Sequence, residues 1–201
     1  MKNNGKEHFY VKGSFEVREI GEDKKTAIQG YALKFDTLSE DMGFREIISR
    51  GALDDADMSD VIFVQQHNEL LIMARNNKEE GEGSLKLTVD NEGLFFEAIP
   101  TNTSYARDLV ANVSAGVIQE CSFRFTIDWN DRDAQAWDWD DGKRGYDIRT
   151  IKKIKKVKDV SLVVFPAYKD TGATTYKRAK DDAAAELQQA QEKEKLSIEL
   201  M

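Results

Sequence analysis

The sequence predicts a mainly β protein with peripheral helices, of the α+β class. Strand patterns recur along the body of the chain from residue 27 onward, and only one segment of the body has clear helical spacing. Apolar residues make up 40% of the chain, which is enough for one core. The composition changes near residue 177 to a charged, helix-prone segment without aromatic side chains beyond it. We therefore expect one domain over residues 1–176 and a charged helical tail over residues 177–201.

Four strands are predicted in the first half of the chain. Residues 27–35 keep an apolar period of two, which is typical of a half-buried strand. Residues 61–64 form a short continuous apolar run, which indicates a strand buried on both faces. Residues 85–89 and 94–98 alternate on either side of the turn-forming segment 90–93, so we expect a hairpin there.

One helix and one further strand follow. Apolar residues recur at helical spacing between residues 105 and 113, and Gly116 ends the pattern. Residues 117–129 then alternate between an aromatic face, which includes Cys121, and a polar face, which includes Ser122. We expect a strand with one buried side and with Ser122 on its polar side.

The last part of the body has weaker patterns. Residues 128–146 hold all three tryptophans and six aspartates, and we interpret them as a long exposed loop. Apolar residues recur at every third position between residues 151 and 160, with five lysines between them, which favours a bulged or edge strand. A nucleic-acid patch is the alternative reading of these lysines. It is disfavoured because they are interleaved with core-type residues in an acidic chain.

Composition excludes several classes of protein. The net charge of −8 argues against a general nucleic-acid binder, and no apolar run is long enough to span a bilayer. The N-terminal ten residues lack the apolar stretch of a signal peptide. One cysteine and two histidines leave no disulfide framework and too few ligands for structural zinc. We expect a soluble intracellular protein without a metal or a cofactor.

The scarce residues define the candidate chemistry. His67 follows the predicted strand 61–64, in a position where functional groups often lie, although a structural histidine is the simpler interpretation. Ser122 needs an adjacent base to become a nucleophile, and only His67 and His8 supply an imidazole. His67 is favoured because His8 lies near the N-terminus. Cys121 is the alternative nucleophile, but strand alternation turns it into the core. The orienting acid cannot be selected from spacing, because acidic residues are too numerous.

Five blocks in the same order resemble the prohead proteases of tailed bacteriophages. Residues 121–125 read C-S-F-R-F where that family has M-S-F-G-F, and residues 159–161 read D-V-S where it has E-V-S. The five blocks are residues 30–35 with 44–48 and 51–53, residues 61–68, residues 94–98 with 103–109, residues 121–125, and residues 159–168.

The resemblance implies a fold and a catalytic set. The family is similar in fold to the herpesvirus assembly proteases, so it implies a closed antiparallel β-barrel with peripheral helices. It implies Ser122 as the nucleophile, His67 as the general base and Asp159 as the acid that orients the imidazole. Three residues depart from the family pattern: Gln66 and Asn68 flank His67 where the family has Asn and Asp, and Arg124 replaces a glycine. Asp159 is also one methylene shorter than the family's glutamate. Arg75 lies where the family often carries an arginine. It is interpreted either as part of a structural ion pair or as a catalytic residue.

The resemblance also implies a biological role. It predicts a serine endopeptidase that cleaves scaffold, or the scaffolding extension of the major capsid protein, and itself. The expected place is the bacterial host cytoplasm, inside the assembling procapsid, with a homo-oligomer as one assembly state and without a membrane or a specific nucleic acid as partner. Two alternatives stay open: an inactive capsid-assembly or scaffold protein with a protease-like fold, and a cysteine hydrolase that uses Cys121 with His67.

Overall fold

A computed structural model gives the fold of the chain. It describes residues 7–12, 15–22 and 25–164, and residues 184–185, 188–189 and 192. The chain divides into two compact units, Met1–Pro166 and Ala167–Met201. The predicted boundary after residue 176 lies outside the described residues and stays a prediction. The described residues of the second unit are helical and exposed.

The described residues of the first unit form twelve strands and one α-helix. In chain order they are β1 (Glu7–Lys12), β2 (Phe15–Ile20), β3 (Lys25–Lys34), β4 (Arg45–Ile48), β5 (Ile62–Gln65), β6 (Ile72–Arg75), β7 (Ser84–Val89), β8 (Gly93–Ile99), α1 (Ser104–Ser114), β9 (Glu120–Thr126), β10 (Gln135–Asp138), β11 (Ile148–Ile151) and β12 (Lys156–Val163). This content confirms the predicted mainly β class.

Nine strands form the main sheet, in the order β1-β9-β12-β5-β6-β7-β8-β3-β2. Neighbouring strands are antiparallel except for the parallel pairs β12–β5 and β6–β7. The sheet is an open half-barrel whose edge strands are β1 and β2. The expected closure into an antiparallel barrel is therefore not confirmed.

The predicted hairpin is confirmed as β7 and β8. Oδ1 of Asp90 accepts hydrogen bonds from the backbone N–H groups of Glu92 (2.7 Å) and Gly93 (3.0 Å), which closes the turn. Gly93 also lies against the neighbouring strand, where a Cβ atom would stand 1.9 Å from the carbonyl oxygen of Leu33. Only glycine fits this close approach of two strands.

The period-three segment, residues 151–160, is only in part a bulged strand, because Ile151 ends β11 and residues 152–155 lie between strands. The bulged strand β12 begins at Lys156 and lies inside the sheet, not at an edge. Val157 pairs with Phe125 and Asp159 pairs with Arg124, so the register shifts and Lys158 is the extra residue. The bulge explains the unusual spacing, because it lets two core residues three positions apart both face the interior. It also places Asp159 on the opposite face from Val157.

A second, smaller sheet overturns one prediction. Residues 128–146 are not a long exposed loop, because β10 pairs with β11, which pairs with β4. Arg149 in β11 is fully buried and its Nη1 lies 3.0 Å from Oε2 of Glu46, also fully buried. The guanidinium lies over the rings of Trp129 and Trp137, at 5.7 and 6.0 Å from their centroids. The aromatic residues of this segment therefore pack around a buried charge and do not alternate as in an ordinary strand.

The predicted helix is confirmed as α1, which packs its apolar side on the core through Ala106, Leu109 and Val113. Gly116 follows it with φ +69°, the left-handed conformation in which helices often end. Thr103 is the N-cap residue but its side chain makes no capping hydrogen bond. Among the described residues, no helix is long and apolar enough to cross a bilayer.

Candidate active site

Ser122 lies in the middle of β9, opposite the aromatic face of that strand. Phe123 and Phe125 stack in the core with their centroids 5.1 Å apart, together with the buried Cys121. Ser122 and Arg124 therefore project from the other face. This face is polar, as predicted, but it is not open to solvent: Ser122 is 0% and Arg124 is 8% exposed.

His67 lies in a turn that directly follows β5. Gln66 and His67 both have φ +53°, a left-handed conformation that is uncommon for residues other than glycine. The backbone N–H of Gln66 donates to the carbonyl oxygen of Leu162 (3.0 Å). The N–H of His67 donates to Oγ of the buried Ser161 (2.8 Å). Consecutive residues in this conformation cost of order 1–3 kcal/mol each and tend to lie at functional sites.

Asp159 reaches the site from β12, the central neighbour of both β9 and β5. Its carboxylate is fully buried, and Oδ1 lies 2.7 Å from Nδ1 of His67. The bulge at Lys158 decides this placement, because it brings Asp159 opposite Arg124 and Ser161 opposite Ser122 in the ladder. The acid and the serine thus point to the same side of the sheet.

The three side chains form a continuous series of hydrogen-bonding contacts. Nε2 of His67 lies 2.7 Å from Oγ of Ser122, while Nδ1 contacts Asp159. A carboxylate only accepts hydrogen bonds, so Nδ1 must carry the imidazole proton and Nε2 is left as the acceptor for the hydroxyl. This arrangement can remove the proton from Oγ. The structure therefore brings together all three residues that the sequence singled out.

Arg124 and Glu69 extend the series beyond the carboxylate. Nη2 of Arg124 lies 2.5 Å from Oδ2 of Asp159, an ion pair without the alignment of a hydrogen bond. The same nitrogen donates a hydrogen bond to Oε1 of Glu69 (2.8 Å). The sequence marked Arg124 as a departure from the family pattern but gave no reason to select Glu69. The only signal for Glu69 is its position two residues after His67.

The side chains of Cys121 and Arg75 do not join this cluster. Cys121 is fully buried, and its burial raises the pKa of the thiol well above the usual range, which disfavours the thiolate nucleophile. His8 lies in β1, opposite Arg124 in the backbone register. Arg75 makes a bidentate ion pair with Asp60, through contacts of 2.5 and 2.6 Å. The hydrogen bond from Arg75 holds the pKa of the Asp60 carboxyl below its usual range. The geometry therefore supports the interpretation of Arg75 as part of a structural ion pair.

Three of the five lysines in and before β12, Lys153, Lys155 and Lys156, are paired with aspartates. Lys153 contacts Asp131 at 2.9 Å, and the hydrogen bond lowers the pKa of that carboxyl. Lys156 contacts Asp57 at 2.6 Å, and this contact lowers the pKa of Asp57 in the same way. Lys155 pairs with Asp128 at 3.2 Å. Such neutralised pairs weaken the reading of this segment as a phosphate-binding patch. Within the part of the chain that the structure describes, no group of three His, Cys, Asp or Glu side chains could hold a metal ion.

Comparisons with known proteins point to one class. A family model described as caudovirus prohead serine protease matches residues 13–186. Among solved structures, the capsid assembly protease gp21 of bacteriophage T4 is similar in fold, with a TM-score of 0.51 and 12% sequence identity. The similarity covers 81% of this chain and 100% of that chain. A search of curated proteins finds no match.

Proposed function

Because the chain belongs to the caudovirus prohead serine protease family, we propose that it is a serine endopeptidase of procapsid maturation that uses Ser122, His67 and Asp159. Membership of the family gives the class of the protein, a capsid-maturation protease of the serine type. The assignment of the three residues rests on the contacts of the candidate site and is our proposal. One observation supports it above the others: the contacts of 2.7 Å on both nitrogens of a single imidazole.

The geometry suits acyl transfer by covalent catalysis. Oγ of Ser122 forms a bond to the carbonyl carbon of the peptide, and its proton passes to Nε2 of His67. The carbonyl π electrons move to the oxygen, which gives a tetrahedral adduct. When the adduct collapses, the C–N bond breaks and His67 returns its proton to the leaving amine. Water then attacks the acyl-enzyme by the same route, which restores the hydroxyl and releases a carboxylic acid.

Asp159 acts in this scheme through His67 and is not itself protonated. Its Oδ1 holds the proton on Nδ1, which fixes the reactive tautomer of the imidazole. Its negative charge also stabilises the imidazolium that forms when Ser122 gives up its proton. Because Asp159 is 0% and the His67 side chain 10% exposed, water screens this charge only weakly.

We propose that the substrates are scaffold, or the scaffolding extension of the major capsid protein, and the chain itself. The family name and the fold shared with a capsid assembly protease support this choice. The reaction would take place inside the assembling procapsid in the bacterial host cytoplasm. A homo-oligomer in that shell belongs to the same proposal.

Intact-mass spectrometry after co-expression with the cognate capsid protein tests the proposal. Wild type should generate new fragments of the capsid protein or of itself, and the Ser122→Ala variant should generate none. Loss of a buried hydroxyl costs of order 1 kcal/mol, so circular dichroism should show that the variant is folded. Fragments from both proteins would refute Ser122 as the nucleophile. Fragments from neither, although both fold and bind capsid protein, would favour an inactive assembly protein.

A further inference from the structure

Arg124 places a positive charge on the buried carboxylate of the candidate triad. We propose that Arg124 is a positioning residue, which supplies a counter-charge to Asp159, keeps its carboxylate turned toward His67 and ties the turn of His67 to the sheet. This inference rests on the proposed function, because it gives a part in that reaction to a residue outside the triad.

The first contribution of Arg124 is electrostatic. Asp159 is 0% exposed, and a buried charge is costly unless it is paired, because it has lost its hydration. The proposed mechanism starts from a neutral imidazole, which would not balance a carboxylate charge. Arg124 can balance it, because its Nη2 lies 2.5 Å from Oδ2 and its side chain is only 9% exposed. Arg124 therefore supplies the counter-charge for the carboxylate that the mechanism uses.

Arg124 also sets the orientation of the Asp159 carboxylate. Arg124 and Asp159 are cross-strand partners in the β9–β12 ladder, so the backbone sets the distance between them. Arg124 contacts Oδ2 while His67 contacts Oδ1, and the two contacts together fix the rotation of the carboxylate. Without Arg124 the carboxylate could rotate, and the proton position on the imidazole would no longer be fixed by it.

Arg124 further contacts the turn that carries His67, the proposed general base. Nη2 of Arg124 also donates to Oε1 of Glu69, two residues after His67, at 2.8 Å. The turn contains two residues in the left-handed conformation, and Arg124 contacts it from the sheet below. Glu69 is 56% exposed, so this outer contact should contribute less than the inner one.

The test measures the rate at which a fluorophosphonate probe labels Ser122, located by peptide mass spectrometry. The hydroxyl oxygen forms a bond to phosphorus and fluoride leaves, so the rate reports activation of the serine without a known substrate. We expect Arg124→Gln to lower the second-order rate constant about 10- to 100-fold, the usual effect of losing one charged partner. Arg124→Lys keeps the charge and should recover at least about a third of the wild-type rate, whereas Glu69→Gln should change it by less than about threefold.

Arg149→Gln is the matched control, because it also removes a buried arginine from an ion pair, in the second sheet. It should lower the melting temperature while leaving the labelling rate per folded molecule unchanged. All rates are normalised to the folded fraction measured by circular dichroism. If Arg124→Gln does not fold, Arg124→Lys still tests the proposal, since a folded Lys variant with less than about a third of the wild-type rate would overturn it.

Two further results separate this inference from the proposed function. Because Ser122 is 0% exposed, absence of labelling at Ser122 in wild type together with absence of fragments in the co-expression experiment would refute the proposed function itself. Normal labelling of wild type together with equal rates for Arg124→Gln would refute only the role of Arg124. Equal losses in the Gln and Lys variants would also refute it, because the charge would then not matter.

Discussion

Replacement of Asp159 by asparagine is the most discriminating perturbation of the candidate site. The side chain keeps its shape but loses its charge, and its amide can present an N–H where Oδ1 now accepts from Nδ1 of His67 at 2.7 Å. The imidazole would then carry its proton on Nε2 and could no longer accept one from Ser122. We expect a folded protein with a strongly reduced reactivity of the serine.

The size of the effect follows from the geometry. Two unit charges about 4 Å apart interact by about 4 kcal/mol at an effective dielectric constant of about 20, which is suitable for this weakly exposed pair. Losing this stabilisation of the imidazolium lowers the rate about 10³-fold, at about 1.4 kcal/mol per tenfold. The wrong tautomer adds to this loss, and serine proteases altered in the same way lose about 10⁴-fold. The expected decrease is therefore about 10³- to 10⁴-fold.

The assay is again fluorophosphonate labelling of Ser122, with cleavage of co-expressed capsid protein as a second readout. The variant also leaves Arg124 without its buried partner, so we expect a loss of about 3 kcal/mol in the free energy of unfolding, measured with urea. Asp60→Asn is the control, because it removes a carboxylate from the exposed pair with Arg75. A folded Asp159→Asn variant that labels within about tenfold of wild type would show that Asp159 does not orient the base.

Three more outcomes follow from the structure. Ser161→Ala removes the hydroxyl oxygen that accepts a hydrogen bond from the His67 N–H at 2.8 Å. Labelling of Ser122 should slow about 3- to 10-fold, and the free energy of unfolding should fall by about 1–2 kcal/mol. Both quantities can be measured on the same sample. Cys121 should react with iodoacetamide at pH 7 at least about 100-fold more slowly in the native protein than in urea, because burial raises its pKa and blocks access; fast native alkylation would revive a cysteine mechanism. Gly93→Ala would bring a Cβ atom within 1.9 Å of the carbonyl oxygen of Leu33, and urea denaturation should show a loss of about 2–4 kcal/mol, while an unchanged midpoint would contradict the packing described for this strand pair.

The sequence predicted those features that depend on alternation within one segment. The β7–β8 hairpin, the aromatic face of β9 and the helix α1 are of this kind, because neighbouring residues alone decide which side of the element is apolar. The pairing of Ser122 with His67 was predicted because the body of the chain contains one histidine that could activate a candidate serine. The resemblance to a protease family, drawn from five short blocks, is confirmed by the family match over residues 13–186.

Alternation within one segment does not predict features that depend on pairing between distant segments. Asp159 is one of 37 acidic residues, and only the register of β12 against β9 brings it to His67. That register includes the bulge at Lys158. The spacing of apolar residues around Lys158 indicated a bulged or edge strand, but it did not indicate which strand would pair with it. The contact between Arg124 and Glu69 joins residues 55 positions apart and has no local signature. The second sheet was missed because its strands are only four residues long and because β11 pairs with the distant β4.

The position of the candidate site in the sheet explains why its supporting residues matter. Ser122 and Asp159 lie on β9 and β12, which are paired along most of their length, so the ladder fixes both backbones. His67 lies beyond the end of β5, in a turn that costs conformational energy. The base is therefore the member of the triad that the sheet alone cannot hold. Both Ser161 and Arg124 contact its turn from the ladder, one through the backbone N–H of His67 and the other through Glu69. Substitutions at these two positions should therefore lower the reactivity of the serine as well as the stability of the fold.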